Sequence, residues 1–330
     1  MLKKYILDLD KPPNTRWSHI ISDQFENFIE IQKYHSENMQ KYSFFSKKII
    51  SNIVSSVKFD PQYYQELEGI HKSLAQKSRE NVDDPLKNLS LNDLILLNSG
   101  YEFGCTSIST QGYLLRNMDW ELDFLEKMTI QVDFYEKNIL KFSCVTWPGL
   151  VGVFTGMNSK FAASINYRKT LQSNMSLTFK KLFNTYKLNC IVLRDALQGG
   201  LDYNQAVEHC KSSNILGSVY FNLVGHGENC VVVRGPSTNE VIKDFVVQTN
   251  HDLQLEKLSL MEISKWADGD QLLLSSIERK EKALELVSDF DPENPFYILN
   301  QYPISNNCTV YSCVMHPGKS IFLAQTTPLL

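Results

Sequence analysis

The first 104 residues of this 330-residue chain contain no cysteine; all seven lie between Cys105 and Cys313. Any break just before Cys105 would therefore leave two pieces with no disulfide between them. The odd count fits a reducing compartment or buried thiols better than a disulfide framework. No apolar run is long enough to span a bilayer. Asp8 and Asp10 interrupt Tyr5-Ile6-Leu7 before a signal-peptide core forms. The compartment stays open between the cytosol, export by another route and removal of a leader. An excess of cations is also missing: 33 Lys and Arg face 37 Asp and Glu, a net charge of -4, which argues against a nucleic-acid partner. Neither a metal nor a cofactor is expected. Cys308, Cys313 and His316 have no second Cys/His pair at finger spacing. Pro317-Gly318-Lys319-Ser320 resembles the end of a phosphate loop, but Cys313 stands where that loop needs glycine. Gly225-His226-Gly227 lacks a third glycine, and no internal repeat or low-complexity stretch is evident.

What is present reads as a folded chain with core enough for one large or two medium domains: 43% hydrophobic and 21% charged. Trp17, Ile21, Phe25 and Phe28 recur at helical spacing, and residues 14–58 read as helical. Within them, Ile49, Ile50, Ile53, Val54 and Val57 form an apolar stripe behind Lys47-Lys48. That stripe suits either transient contact with a membrane surface or burial against the rest of the protein. Ser90-Leu91-Asn92-Asp93 reads as a capping box opening a short helix. From Thr129 to Arg168 the pattern changes to strands, with turns at Glu136-Lys137-Asn138 and Pro148-Gly149. Two helices broken at Gly199-Gly200 follow within 176–212, then three strands between Gly217 and Asn250, a charged helix over 270–289 and a return to strand. This order suits α+β layering.

The chemistry concentrates where Cys105-Thr106-Ser107-Ile108-Ser109-Thr110 reads as one strand and Tyr113-Leu114-Leu115-Arg116-Asn117-Met118-Asp119 as the next, joined by a turn at Gln111-Gly112. A hairpin brings Arg116 and Asp119 back beside Cys105. A buried arginine and a buried aspartate cost several kcal/mol unless each is paired, so the cassette invites a functional reading.

Cys-Thr-Ser followed by Arg-Asn-Met-Asp resembles the nucleophile region of the acid ceramidases and N-acylethanolamine acid amidases, in the choloylglycine-hydrolase branch of the N-terminal nucleophile hydrolases. Leu7 to Pro13 with Arg16-Trp17 resembles the opening of that family's small subunit. Gly149 to Gly156 and Ser164-Ile165-Asn166-Tyr167-Arg168 resemble its core strands. Val246 to Asp252 resembles another signature, and Thr309-Val310-Tyr311 a closing strand. These matches run in family order over nearly the whole chain.

The resemblance implies a four-layer αββα sandwich over 105–330, with a helical, small-subunit-like segment 1–104 packed on it. It implies a cysteine amidase acting on an N-acylated lipid, such as ceramide or an N-acylethanolamine, after self-cleavage before Cys105. The product would be a heterodimer of the chain's own two fragments. An α-amine titrates near ~7.7–8.0 and a thiol near ~8.5, so a terminal cysteine can use its own nitrogen as base, whereas an internal one cannot. In this reading Asp119 holds the amine, Arg116 keeps Asp119 ionised and favours the thiolate through its positive field, and Asn250 donates to the oxyanion. Arg279 matches a site arginine, and Asn166 and Tyr167 face the substrate. Two features depart from the family pattern: Tyr167 stands where an acidic residue is usual, and Gly104 replaces a bulkier residue. Two other readings stay open. One is hydrolysis of a water-soluble N-acyl amide. The other is an unprocessed, inactive relative that binds a lipid or a protein.

Overall fold

The computed structural model describes residues 2–30, 59–78, 86, 89–98, 104–122, 124–169, 186–215, 217–235, 238–252, 255 and 271–326. The apolar stripe at 49–57 lies outside them.

Two sheets form the centre. The larger has eight strands in the order β1-β4-β5-β6-β7-β8-β9-β10. These are β1 (Lys3–Asp8), β4 (Ile130–Glu136), β5 (Ile139–Thr146), β6 (Thr155–Met157), β7 (Ala162–Tyr167), β8 (Val219–Val224), β9 (Asn229–Arg234) and β10 (Asn239–Lys243). The smaller has five, in the order β11-β2-β3-β12-β13: β11 (Val247–Gln248), β2 (Gly104–Thr110), β3 (Tyr113–Asp119), β12 (Thr309–His316) and β13 (Ile321–Thr326). Every pairing between these strands is antiparallel except β1 with β4, which runs parallel from Lys3 opposite Ile130 to Asp8 opposite Tyr135.

Local chemistry accounts for the hairpins. Gln111 and Gly112 both take positive φ (49° and 78°), as do Lys137 and Asn138 (51° and 60°), the twist that joins antiparallel strands through two residues. The two sheets face each other through Ser107 Oγ and Ser164 Oγ, 2.8 Å apart, and through Thr155 Oγ1 and Tyr311 Oη, also 2.8 Å apart.

Helices cover both outer faces. α1 (Ser18–Asp23), α2 (Pro61–Ser78) and α3 (Leu91–Asn98) belong to the first part of the chain, and the short α4 (Phe124–Met128) follows β3. The capping box expected at Ser90 is formed: the Ser90 N–H donates to Asp93 Oδ2 at 2.7 Å, and the Asp93 N–H to Ser90 Oγ at 3.3 Å. α5 (Asn189–Gln198) and α6 (Tyr203–Ser212) lie on the large sheet. α7 (Gln271–Leu286) lies on the small sheet, where Ala283 and Leu286 meet Ile108, Leu115 and Val314. The fold is the αββα sandwich. The first residues add something the sequence reading lacked: β1 extends the large sheet instead of leading into a helix.

Candidate active site

β2 sits between β11 and β3, and alternation along it sends side chains to two environments. Cys105 and Ser107 point between the sheets; Thr106 and Ile108 point to α7. Across the ladder Cys105 pairs with Met118, and its Sγ lies 3.7 Å from Met118 Sδ. The thiol is fully buried. Cys144 and Cys313 are buried too, and burial pushes both thiols up, so they stay protonated and read as packing residues.

The Cys105 nitrogen is held by a side chain. β11 pairs with β2 only at Val247–Ile108 and Gln248–Ser107. Carrying that register onward brings Asn250 opposite Cys105, whose backbone N–H donates to Asn250 Oδ1 at 2.8 Å. Arg279 Nη2 donates to the same oxygen at 2.9 Å, while Asn250 Nδ2 donates to the Tyr167 carbonyl at 2.9 Å. Two donors converge on one end of the carboxamide and an acceptor faces the other, which fixes its orientation. Asn250 therefore presents its oxygen to Cys105, whereas an oxyanion donor would present the NH₂. Its own N–H donates to Ser276 Oγ at 2.8 Å.

Arg279 reaches the same spot from α7. It donates to the Cys105 carbonyl at 2.6 Å and to Thr106 Oγ1 at 3.0 Å, and its Nη1 lies 3.6 Å from Asp119 Oδ2. Asp119 Oδ1 accepts from Thr309 Oγ1 at 2.8 Å, and Oδ2 from Asn306 Nδ2 at 3.4 Å. A Cβ added at Gly104 would lie 3.0 Å from Asp119 Cβ and 3.2 Å from its Oδ2, so the carboxylate rests against the backbone just before Cys105.

Arg116 lies on the thiol's side. Three residues from Asp119 along one strand, it points away from that carboxylate and between the sheets, as the Cys105 side chain does. It donates to Asn166 Oδ1 at 2.5 Å and to the Ile165 carbonyl at 2.7 Å, and its Nη2 lies 3.3 Å from Met118 Sδ. The cation beside Asp119 is Arg279, not Arg116 as the hairpin reading expected. Asn166, expected against substrate, is fully buried in the intact chain. It donates to the Gln248 and Thr249 carbonyls at 2.9 and 3.1 Å and accepts from Arg116, Ser107 and Asn222. Tyr167 is half-buried and takes part through its carbonyl.

Asp119, Asn250 and Arg279 thus meet at the backbone of Cys105, and the Cys105 thiol, Arg116 and Asn166 lie beside it between the sheets. Thr309, Asn306, Ser276 and Asn222 were missed. Only Ser276 carried a sequence signal, lying one helical turn before Arg279.

A brace stands next to this centre. Arg168 Nε and Nη2 each donate to an Asp252 carboxylate oxygen at 2.7 Å, and Tyr220 Oη donates to Asp252 Oδ1. Burial works against the Arg168 cation, but Asp252 outweighs it and the pKa is raised. The Lys169 N–H donates to the Asn250 carbonyl at 2.7 Å, so the segment just after Tyr167 is tied to both Asn250 and Asp252. Asp252→Asn is expected to lower unfolding free energy by about 1–3 kcal/mol in a urea titration, because one charge-assisted pair becomes neutral.

No family model matches the chain. It is 25% identical over 342 residues to the N-acylethanolamine-hydrolyzing acid amidase of Caenorhabditis elegans, covering 96% of this chain and 89% of that protein. It is 24% identical over 359 residues to the acid ceramidase of Bos taurus, covering 96% and 84%. An uncharacterized protein of Acanthamoeba polyphaga mimivirus is 25% identical over 335 residues, covering 96% and 97%. Among solved structures, an N-acylethanolamine-hydrolyzing acid amidase ortholog from Caenorhabditis elegans superposes with a TM-score of 0.50 at 22% identity, over 65% of this chain and 93% of that one. The structural likeness concerns the fold.

Proposed function

Taking the chain as a homologue of the N-acylethanolamine-hydrolyzing acid amidases and acid ceramidases, we propose that it hydrolyses the amide of an N-acylated lipid, with Cys105 as nucleophile once the Gly104–Cys105 bond is broken. The chain is a hydrolase acting on amide C–N bonds. One observation carries the assignment of Cys105: its nitrogen rests on a buried side-chain oxygen, with an arginine and an aspartate beside the same residue.

The first step is intramolecular. The Cys105 thiol adds to the Gly104 carbonyl carbon, the C–N bond breaks, and the thioester that forms is hydrolysed by water. Glycine at 104 suits this step, because any side chain there would press on Asp119. The freed amine keeps its place on Asn250 Oδ1. It takes the proton from the Cys105 sulfur, the thiolate attacks the substrate amide carbon, and the amine returns the proton to the leaving nitrogen. Water then releases the fatty acid from the thioester. Asn250 in this scheme positions the base. Arg279 supplies positive charge at the Cys105 carbonyl, and Asp119 neutralises that arginine from the other side. The two fragments would stay together as a heterodimer.

The test has two parts. Intact mass after mild-acid incubation should show fragments 1–104 and 105–330. Hydrolysis of N-acyl lipids presented in detergent should then fall as the acyl chain is shortened. Equal rates on short, water-soluble amides would replace the lipid reading, and an uncut, inactive chain would remove both.

A further inference from the structure

A second buried cluster lies away from Cys105, and its residues come from both sides of the proposed cut. Glu66, on α2, is fully buried, and each of its oxygens accepts two bonds. Oε1 accepts from Arg16 Nη1 at 2.9 Å and Arg194 Nη2 at 2.8 Å. Oε2 accepts from Trp17 Nε1 at 2.8 Å and Arg194 Nη1 at 2.6 Å. Arg194, on α5, is itself fully buried and also donates to the Val151 carbonyl at 2.6 Å. Its guanidinium lies 4.4 Å from the Tyr63 ring centre and 5.2 Å from that of Phe134, one ring from each part of the chain. Arg16 fastens the other end, donating to the Leu9 and Lys11 carbonyls at 2.7 and 2.9 Å.

Other ties also join the two parts. Asn98 Nδ2 donates to the Gly149 carbonyl at 2.9 Å, the Val151 N–H donates to Asn98 Oδ1 at 2.8 Å, and one buried apolar cluster runs from Trp17, Tyr63 and Leu67 to Phe134. Within β1 only Leu7 is buried, and Ile6 is 61% exposed, so the parallel strand adds backbone bonds but little apolar area. No cysteine precedes Cys105, so no disulfide can join 1–104 to the rest. A buried ion pair repays its desolvation only when every donor and acceptor is used, and here the carboxylate is saturated.

We propose that Glu66 is the keystone of a subunit interface: after the cut, it keeps residues 1–104 bound without a covalent link by gripping Arg194 of the second fragment. The partner is the chain's own first fragment. This rests on the reading that the chain is cut before Cys105, and the experiment separates the two. In a Cys105→Ala background, a specific protease site replaces residues 99–103, so the cut is made without self-cleavage. Protease-cut protein is followed by size-exclusion chromatography under dilution.

The fragments are expected to co-elute when Glu66 is present. With Glu66→Ala the affinity should fall by at least about 100-fold, so that the fragments separate at a correspondingly higher concentration, as expected for truncating one partner of a buried charge pair. Gln62→Ala, which removes the 3.3 Å bond from Gln198 to Gln62 at the edge of the same seam, should leave the affinity unchanged. Circular dichroism of each uncut variant establishes that it folds. If uncut Glu66→Ala does not, Glu66→Gln, which keeps the volume, takes its place. Fragments that stay together equally well in the Glu66 variant, or fall apart with Glu66 intact, overturn the keystone. Self-cleavage is read separately, on wild-type chain without protease.

Discussion

Cys105→Ala is expected to remain a single chain and to lose amide hydrolysis by about 10⁴-fold or more, the scale seen when a nucleophile is removed from an enzyme. The substitution takes away only the sulfur. The backbone N–H that donates to Asn250 is kept, and so is the pairing of position 105 with Met118. Removing one buried atom beside the Met118 thioether costs roughly 1 kcal/mol, so the variant should fold. Any loss then reports chemistry. Cys105→Ser should behave differently: the hydroxyl fits the space but is a weaker nucleophile, and partial, slow cleavage is expected. Intact mass and fatty-acid release measure the two steps in one sample. A Cys105→Ala chain that still cuts itself or still hydrolyses substrate would end the proposed mechanism.

Arg279→Met should have the second-largest effect, lowering hydrolysis by about 10²–10³-fold, as removing a fixed donor beside developing charge usually does. The guanidinium serves five neighbours: the Cys105 carbonyl, Thr106 Oγ1, Asn250 Oδ1, Asp119 and Ser275 Oγ. A methionine fills the volume and serves none. Asp119 is then left buried without its cation, which should lower unfolding free energy by about 3–5 kcal/mol. Activity must therefore be measured at a temperature where circular dichroism shows the variant folded. Arg279→Lys restores the charge but not the planar fork, and should recover only part of the rate. Full activity in a folded Arg279→Met chain would remove Arg279 from the centre.

The β2–β3 hairpin was legible because its period-two pattern and its turn agree. That same period shows that Arg116 and Asp119, an odd number of positions apart, cannot share a face; their pairing is excluded by arithmetic the strand already contained. The convergence of Asn250 and Arg279 on Cys105 came only through resemblance, since nothing local ties positions so far apart. Which end of the Asn250 amide faces Cys105 is decided by the donors around it, and those arrive from β2 and α7. Thr309 and Asn306 carry no mark at all as supports of Asp119. β1 escaped notice because an edge strand with a single buried residue shows no alternation.

That parallel edge strand sets an order of events. β1 is made first yet pairs with β4, synthesised much later, so the sheet closes only after a long loop has been gathered in. While the chain is whole, this search stays within one molecule. Once it is severed, regaining the same sheet after denaturation becomes a second-order encounter that slows with dilution. Heat or urea would then inactivate the severed protein for good at low concentration, and its durability would be set by how slowly it comes apart.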